Sequence, residues 1–175
     1  PTTFQMRPLN ANPAPEVIGL DRQPGVVNYL VGPAEQHRAG IATYRRVKYS
    51  QLWPGIDLVL YGADRARLEY DLVVAPGADP GRIRLHFEGL DRLSLAADGS
   101  LTLFLPAGER LQQSRPLIYQ PIAGQRRPVE GGFKLVDGCT VGFWLGDYDP
   151  SAALIIDPTV IYSTYLGGAN IDNAM

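Results

Sequence analysis

The stretch RLEYDLVVAPGADPGRIRLHFEG, residues 67–89, decides the fold. In its first part Leu68, Tyr70, Leu72 and Val74 alternate with Glu69, Asp71 and Val73. In its last part Ile83, Leu85 and Phe87 alternate with Arg82, Arg84, His86 and Glu88. A period of two sends successive side chains to opposite faces, so each run is a strand with one face toward a core and one toward water. Between them, Ala75–Gly81 carries two prolines and two glycines and reads as a rigid surface loop.

Outward from this stretch the same period recurs between turn signals. Leu93–Leu95 and Leu101–Leu105 flank Ala97–Ser100, and Leu117–Ile122 and Gln125–Val129 flank Ala123-Gly124. Phe133–Val136 and Cys139–Leu145 flank Asp137-Gly138, a pair expected to take the positive φ values of a type I′ turn. Hairpins of this kind give antiparallel pairing, since parallel strands need crossover helices. Gly and Pro together number 34 of 175 residues, well above the roughly 12% of an average chain. Spread along the sequence, that excess means many turns. Helix signals are confined to Pro33–Arg38, with Pro33 at a first helical position, and to a turn over Ser50–Trp53 before Pro54-Gly55. Asn10–Pro15 reads as an extended connector. The expected architecture is all-β: an antiparallel β-sandwich of short strands and hairpins with one or two helical turns.

The net charge of −2 argues against nucleic acid, which needs a basic face to displace counterions. No apolar run reaches the ~20 residues of a membrane helix, so no membrane span is expected. Pro1–Met6 has neither the charged nor the apolar part of a signal peptide, so the signal of an exported protein would lie upstream of residue 1. Cys139 is the only cysteine and reads as a small buried hydrophobe.

Longer segments carry a resemblance. WPGIDLVLYG (53–62), residues 67–89 and RLSLAADGSLTL (92–103) are followed by RPLIYQPIAGQRRPV, VGFWLGDYDPSAALIIDP and VIYSTYLGG. In this order they resemble the uncharacterised N-terminal β domain of exported bacterial proteins that carry SBBP-type β-propeller repeats. The likeness extends back to Pro13–Gly32. It implies an all-β fold and an extracellular or cell-surface location. It also implies two parts: a sandwich-like domain over residues 1–157, with family strands expected before Phe4, and a tail over 158–175 that opens the first propeller repeat. It implies no catalytic residues.

Several constellations invite chemistry. Glu69 and Asp71 share a strand face, and Asp57 from GIDL could join them as a calcium site or an acid/base pair. The simpler reading is a solvated face with Arg65, Arg67, Arg82 and Arg84 as cross-strand partners. Asp147 and Asp149 resemble part of a calcium loop, but Pro150 follows and no glutamate closes it, so an Asx turn is simpler. His37 and His86 read as isolated surface histidines. Trp53 and Trp144 are candidates for stacking a glycan, and Phe143 and Trp144, being adjacent, must face opposite sides. In Thr159–Gly168, Val160, Tyr162 and Leu166 oppose Ile161 and Tyr165. A strand apolar on both faces wants to be sandwiched, whether in its own sheet, in a propeller blade or against a neighbouring copy. Taken together, a non-catalytic structural or interaction module without a cofactor is expected. The partners expected are the rest of its own chain or neighbouring copies. The alternatives are a subunit of a filament or oligomer built by strand addition, and a carbohydrate-binding module.

Overall fold

The computed structural model describes residues 4–63 and 67–161. The chain runs through β1 (Gln5–Pro8), β2 (Glu16–Tyr29), β3 (Arg38–Trp53), β4 (Ile56–Ala63), β5 (Arg67–Val74), β6 (Leu85–Glu88), β7 (Arg92–Leu95) and β8 (Leu101–Phe104). It continues through β9 (Arg110–Gln113), β10 (Leu117–Ile122), β11 (Gln125–Pro128), β12 (Gly131–Leu135), β13 (Thr140–Leu145), β14 (Leu154–Asp157) and β15 (Val160–Ile161). Three antiparallel sheets result, ordered β11-β10-β14-β5-β4-β3-β2, β1-β6-β13-β12 and β15-β9-β8-β7. The only helical pieces among the described residues are 3-10 turns at Ala34–Gln36, Pro80–Arg82 and Pro106–Gly108. The fold is all-β and sandwich-like.

One core joins the sheets, and alternation supplies it. Ile56, Leu58, Tyr70, Leu72, Val74, Ile118, Leu154 and Ile156 come from the seven-stranded sheet. They meet Leu85, Phe87, Phe133, Val141 and Phe143 of the second sheet and Leu93, Leu101, Leu103 and Leu111 of the third. The phenyl rings of Phe133 and Phe143, cross-strand partners, lie 5.5 Å apart and tilted. Gln120, a large polar side chain 2% exposed, is satisfied by the loop after β13: its amide donates to Asp149 O at 2.7 Å and accepts from Asp149 N at 2.9 Å.

Four local expectations are corrected. Ser50–Trp53 forms no helical turn, because β3 runs through Trp53 with a bulge at Gln51, whose φ is 53°. Pro54-Gly55 is then a two-residue hairpin turn between Trp53 and Ile56, with Gly55 at φ 75°. The helical turn over Pro33–Arg38 is a single 3-10 turn, and Pro33 precedes it rather than opening it. Asp137-Gly138 makes no type I′ turn. Three residues cross there, and the Asp137 carboxylate accepts from Cys139 N at 2.9 Å, an Asx turn. The φ values of a type I′ turn occur instead at Ala123 (50°) and Gly124 (76°), between β10 and β11. Cys139 is half-buried rather than buried, since it sits in that Asx turn, before β13 begins.

The strands are short, with the exception of β2 and β3, fourteen and sixteen residues long. From Arg46 onward β3 lies between β2 and β4, but among the described residues Arg38–Arg45 pair with β2 alone. The far halves of β2 and β3 therefore form a two-stranded arm.

Candidate functional site

Two features of the seven-stranded sheet stand out. The first is on the face turned away from the core. The register pairs Val59 with Asp71 and Tyr61 with Glu69 across β4 and β5, and Ile156 with Leu72 across β14 and β5. One further step of that last register sets Asp157 beside Asp71. The Tyr61 hydroxyl joins them, 3.0 Å from Asp71 Oδ1 and 3.5 Å from Asp157 Oδ1. A phenol has one proton to donate, so it serves Asp71 first and Asp157 loosely. Both acids are held above the ordinary carboxylate range. Burial is the main cause in each, and the charge of Asp157 adds to it at Asp71. Tyr61 is raised by burial and by the same negative charges.

The expected trio of Asp57, Glu69 and Asp71 does share this face, but its members do different things. Asp57 is taken up by Lys48 Nζ at 3.3 Å and by the backbone N–H of Gln51 at 2.8 Å. The partner that Asp71 finds is Asp157, the last residue of β14. A polar residue alternating with Leu154 and Ile156 was the available signal, since it had to face away from the core. Among the described residues, no three Asp, Glu, His or Cys side chains gather in a way that would hold a metal ion. Asp149 closes an Asx turn on Ser151, its carboxylate accepting from the hydroxyl at 2.6 Å and from the N–H at 2.9 Å. Asp147 and Asp149 instead line, with Gln120, Arg127, Val129 and Tyr148, a cleft of about 220 Å³.

The histidines are both engaged. His86 Nδ1 meets Thr140 Oγ1 at 2.9 Å, and His37 Nε2 meets the carbonyl of Gly32 at 3.1 Å. Trp53 is corrected as a glycan candidate: it is 1% exposed in the core, with Nε1–H donated to Leu9 O at 2.9 Å. No sugar reaches that ring. Trp144 is 44% exposed opposite buried Phe143, with the Arg115 guanidinium 5.9 Å from its ring. Of the expected interaction strand, Val160 and Ile161 pair with Gln113 and Gln112 of β9 at the edge of the third sheet, while Tyr162, Tyr165 and Leu166 lie outside the described residues.

The second feature is the arm, and no sequence expectation singled it out. It presents Val26, Val27, Tyr29, Leu30, Val31, Ile41 and Tyr44, all exposed. Val26 and Val27 are adjacent in a strand and so face opposite sides, which makes both faces of the ribbon apolar. A bulge over Gln23–Gly25, tied by Thr43 Oγ1–H to Gly25 O at 2.8 Å, lies near the base of the arm.

The chain belongs to the family described as Domain of unknown function (DUF7948), matched over residues 2–159. The DUF7948 match takes in β1 to β14, so the arm and the Asp71–Asp157 pair both lie inside the family's domain. No curated protein and no solved structure matches the chain.

Proposed function

We propose that this DUF7948 domain is a non-catalytic interaction module of an exported or cell-surface bacterial protein, and that the β2–β3 arm is its contact element. The observation that carries the reading is the arm's exposed apolar surface. A two-stranded ribbon is marginally stable alone in water, and contiguous exposed apolar side chains on a stable protein mark a contact surface. Export and a following SBBP-type propeller rest on the sequence motifs, whose last, Tyr-Ser-Thr-Tyr-Leu-Gly-Gly, would open the first repeat. Assembly through strand addition by the C-terminal tail is the weaker form of this reading, because Val160 and Ile161 already pair with β9 of their own chain. A glycan-binding alternative now rests on Trp144 alone.

One labelling experiment tests both halves of the proposal. In a Cys139→Ser background, single cysteines replace the exposed Lys134 and Leu30 in the natural host. Cells are treated with a membrane-impermeant maleimide after the outer envelope is made permeable. Labelling at position 134 supports export, and protection at position 30 on cells, with full labelling in the purified chain, supports a docked arm. An unlabelled position 134 removes export. Equal labelling of position 30 in both settings removes the contact role.

A further inference from the structure

We infer that the occupant of the arm is an anionic lipid surface, an inference that rests on the arm being a contact element. Three observations favour lipid over a second copy of the chain. First, residues 23–34 carry no charged side chain, and the tip residues Leu30 and Val31 are 59% and 65% exposed. Tyr29 beside them is an amphipathic ring of the kind that settles at a membrane–water interface.

Second, charge divides the molecule. Arg22, Arg38 and Arg45 against Glu35 give residues 22–45 a charge of +2, so with −2 overall the rest of the chain carries −4. Among the described residues, none of these three arginines has a carboxylate within salt-bridge distance. An anionic surface attracts the arm and repels the body, which orients the chain tip-down. Two arms approaching each other carry like charge, which disfavours a symmetric arm-to-arm dimer.

Third, several polar groups of the loop that follows the tip residues are paired internally. Gln36 N donates to Pro33 O at 2.9 Å, His37 N to Ala34 O at 3.1 Å, and Gly40 N to Asn28 Oδ1 at 2.8 Å. Arg38 Nη1 donates to the carbonyls of Glu35 and His37, and the His37 ring meets Gly32 O. Pairing of this kind lowers the cost of bringing those groups toward an apolar phase. The open strand edges higher on the arm stay at the hydrated headgroup level, where water serves them. A lipid surface covers both faces of a tip at once, whereas a neighbouring protein sheet covers one.

The test is co-flotation of the whole chain with phosphatidylcholine vesicles, with and without about one-third phosphatidylglycerol, at low and high salt. Binding is expected only with the anionic lipid, weakening as salt screens it. The Leu30→Ser/Val31→Ser variant is expected to bind at least tenfold more weakly. Arg22→Gln and Arg38→Gln are each expected to lose about fivefold on anionic vesicles. All these side chains are exposed, and an unchanged melting curve confirms folding. The inference falls if anionic vesicles are not bound, if neutral vesicles bind equally, or if the tip variant binds like the parent. A concentration-dependent dimer that the tip variant abolishes, without vesicle binding, also overturns it in favour of a second copy. Absent vesicle binding together with protection of position 30 on cells removes lipid but leaves the interaction module standing.

Discussion

Replacing Asp157 by Asn should stabilise this protein at neutral pH. Asp71 and Asp157 sit side by side on neighbouring strands, with buried Val59 opposite Asp71 in β4 and a single phenol proton from Tyr61 between them. Like charges placed across a ladder cost about 0.2–1 kcal/mol. The amide keeps the shape of the side chain, removes that repulsion, and can donate to a free oxygen of Asp71. It gives up attraction from Arg126, which favours the charged form of Asp157. A net gain of about 0.5–1 kcal/mol corresponds to a rise of about 1–4 °C in Tm for a chain of this size. The pH dependence carries the sharper sign. Both acids have folded-state values raised above the ordinary range, so the native state holds their protons more tightly than the unfolded chain. Their contribution to stability is therefore best in acid and is lost as pH climbs from the ordinary carboxylate range through the raised values. The Asp157→Asn variant should thus outperform the parent in urea melts at about pH 7.5, and the gap should close by about pH 3.5, where both acids carry protons. A variant that is less stable at neutral pH, or whose advantage grows in acid, would refute the repulsion argument. Tyr61→Phe gives the opposite arm: it deletes the donor to Asp71 and should lower stability at neutral pH more than in acid.

Two further substitutions probe packing. In Gly131→Ala a methyl group would stand 2.5 Å from Ile118 Cδ1 and 2.7 Å from the backbone oxygen of Trp144. Backbone cannot yield as a side chain does, so a loss of about 1–3 kcal/mol is expected in a denaturant melt, and a neutral result would mean that β12 and β13 slide apart freely. Trp53→Phe removes core volume and the hydrogen bond to Leu9, for an expected loss of about 2–3 kcal/mol, whereas Trp144→Ala should cost under about 1 kcal/mol. On a glycan array the Trp53 change should alter nothing beyond stability, so any glycan signal must respond to Trp144→Ala.

The alternation that opens the sequence carries directly into the core, because period two is a local property and burial follows from it. Ile83, Leu85 and Phe87 are at most 1% exposed, and Tyr70, Leu72 and Val74 face the same interior. Turn geometry was less legible. Asp137-Gly138 has the stronger local preference for positive φ, yet Ala123-Gly124 adopts it, because the strand register and not the dipeptide decides how many residues must cross. The acid pair was illegible for a related reason. Asp71 and Asp157 are eighty-six positions apart in the chain, and they meet only because β14 inserts between β10 and β5 in the large sheet. Nothing local to either residue encodes that insertion. The arm is a different case, since its mark was in the sequence throughout: twelve residues without a charge, bounded by Arg22 and Glu35. Read for periodicity alone, such a run is one more strand. Read for charge, it is a strand without charged side chains of its own, its edge interrupted by Pro24 and the Gln23–Gly25 bulge, on a sheet whose opposite edge, β11, is guarded by Arg126, Arg127 and Pro128. A sheet that protects one edge and leaves apolar side chains on an arm extending the other has surfaces under different demands. Under the proposed reading, that asymmetry assigns the contact to the arm rather than to the C-terminal tail.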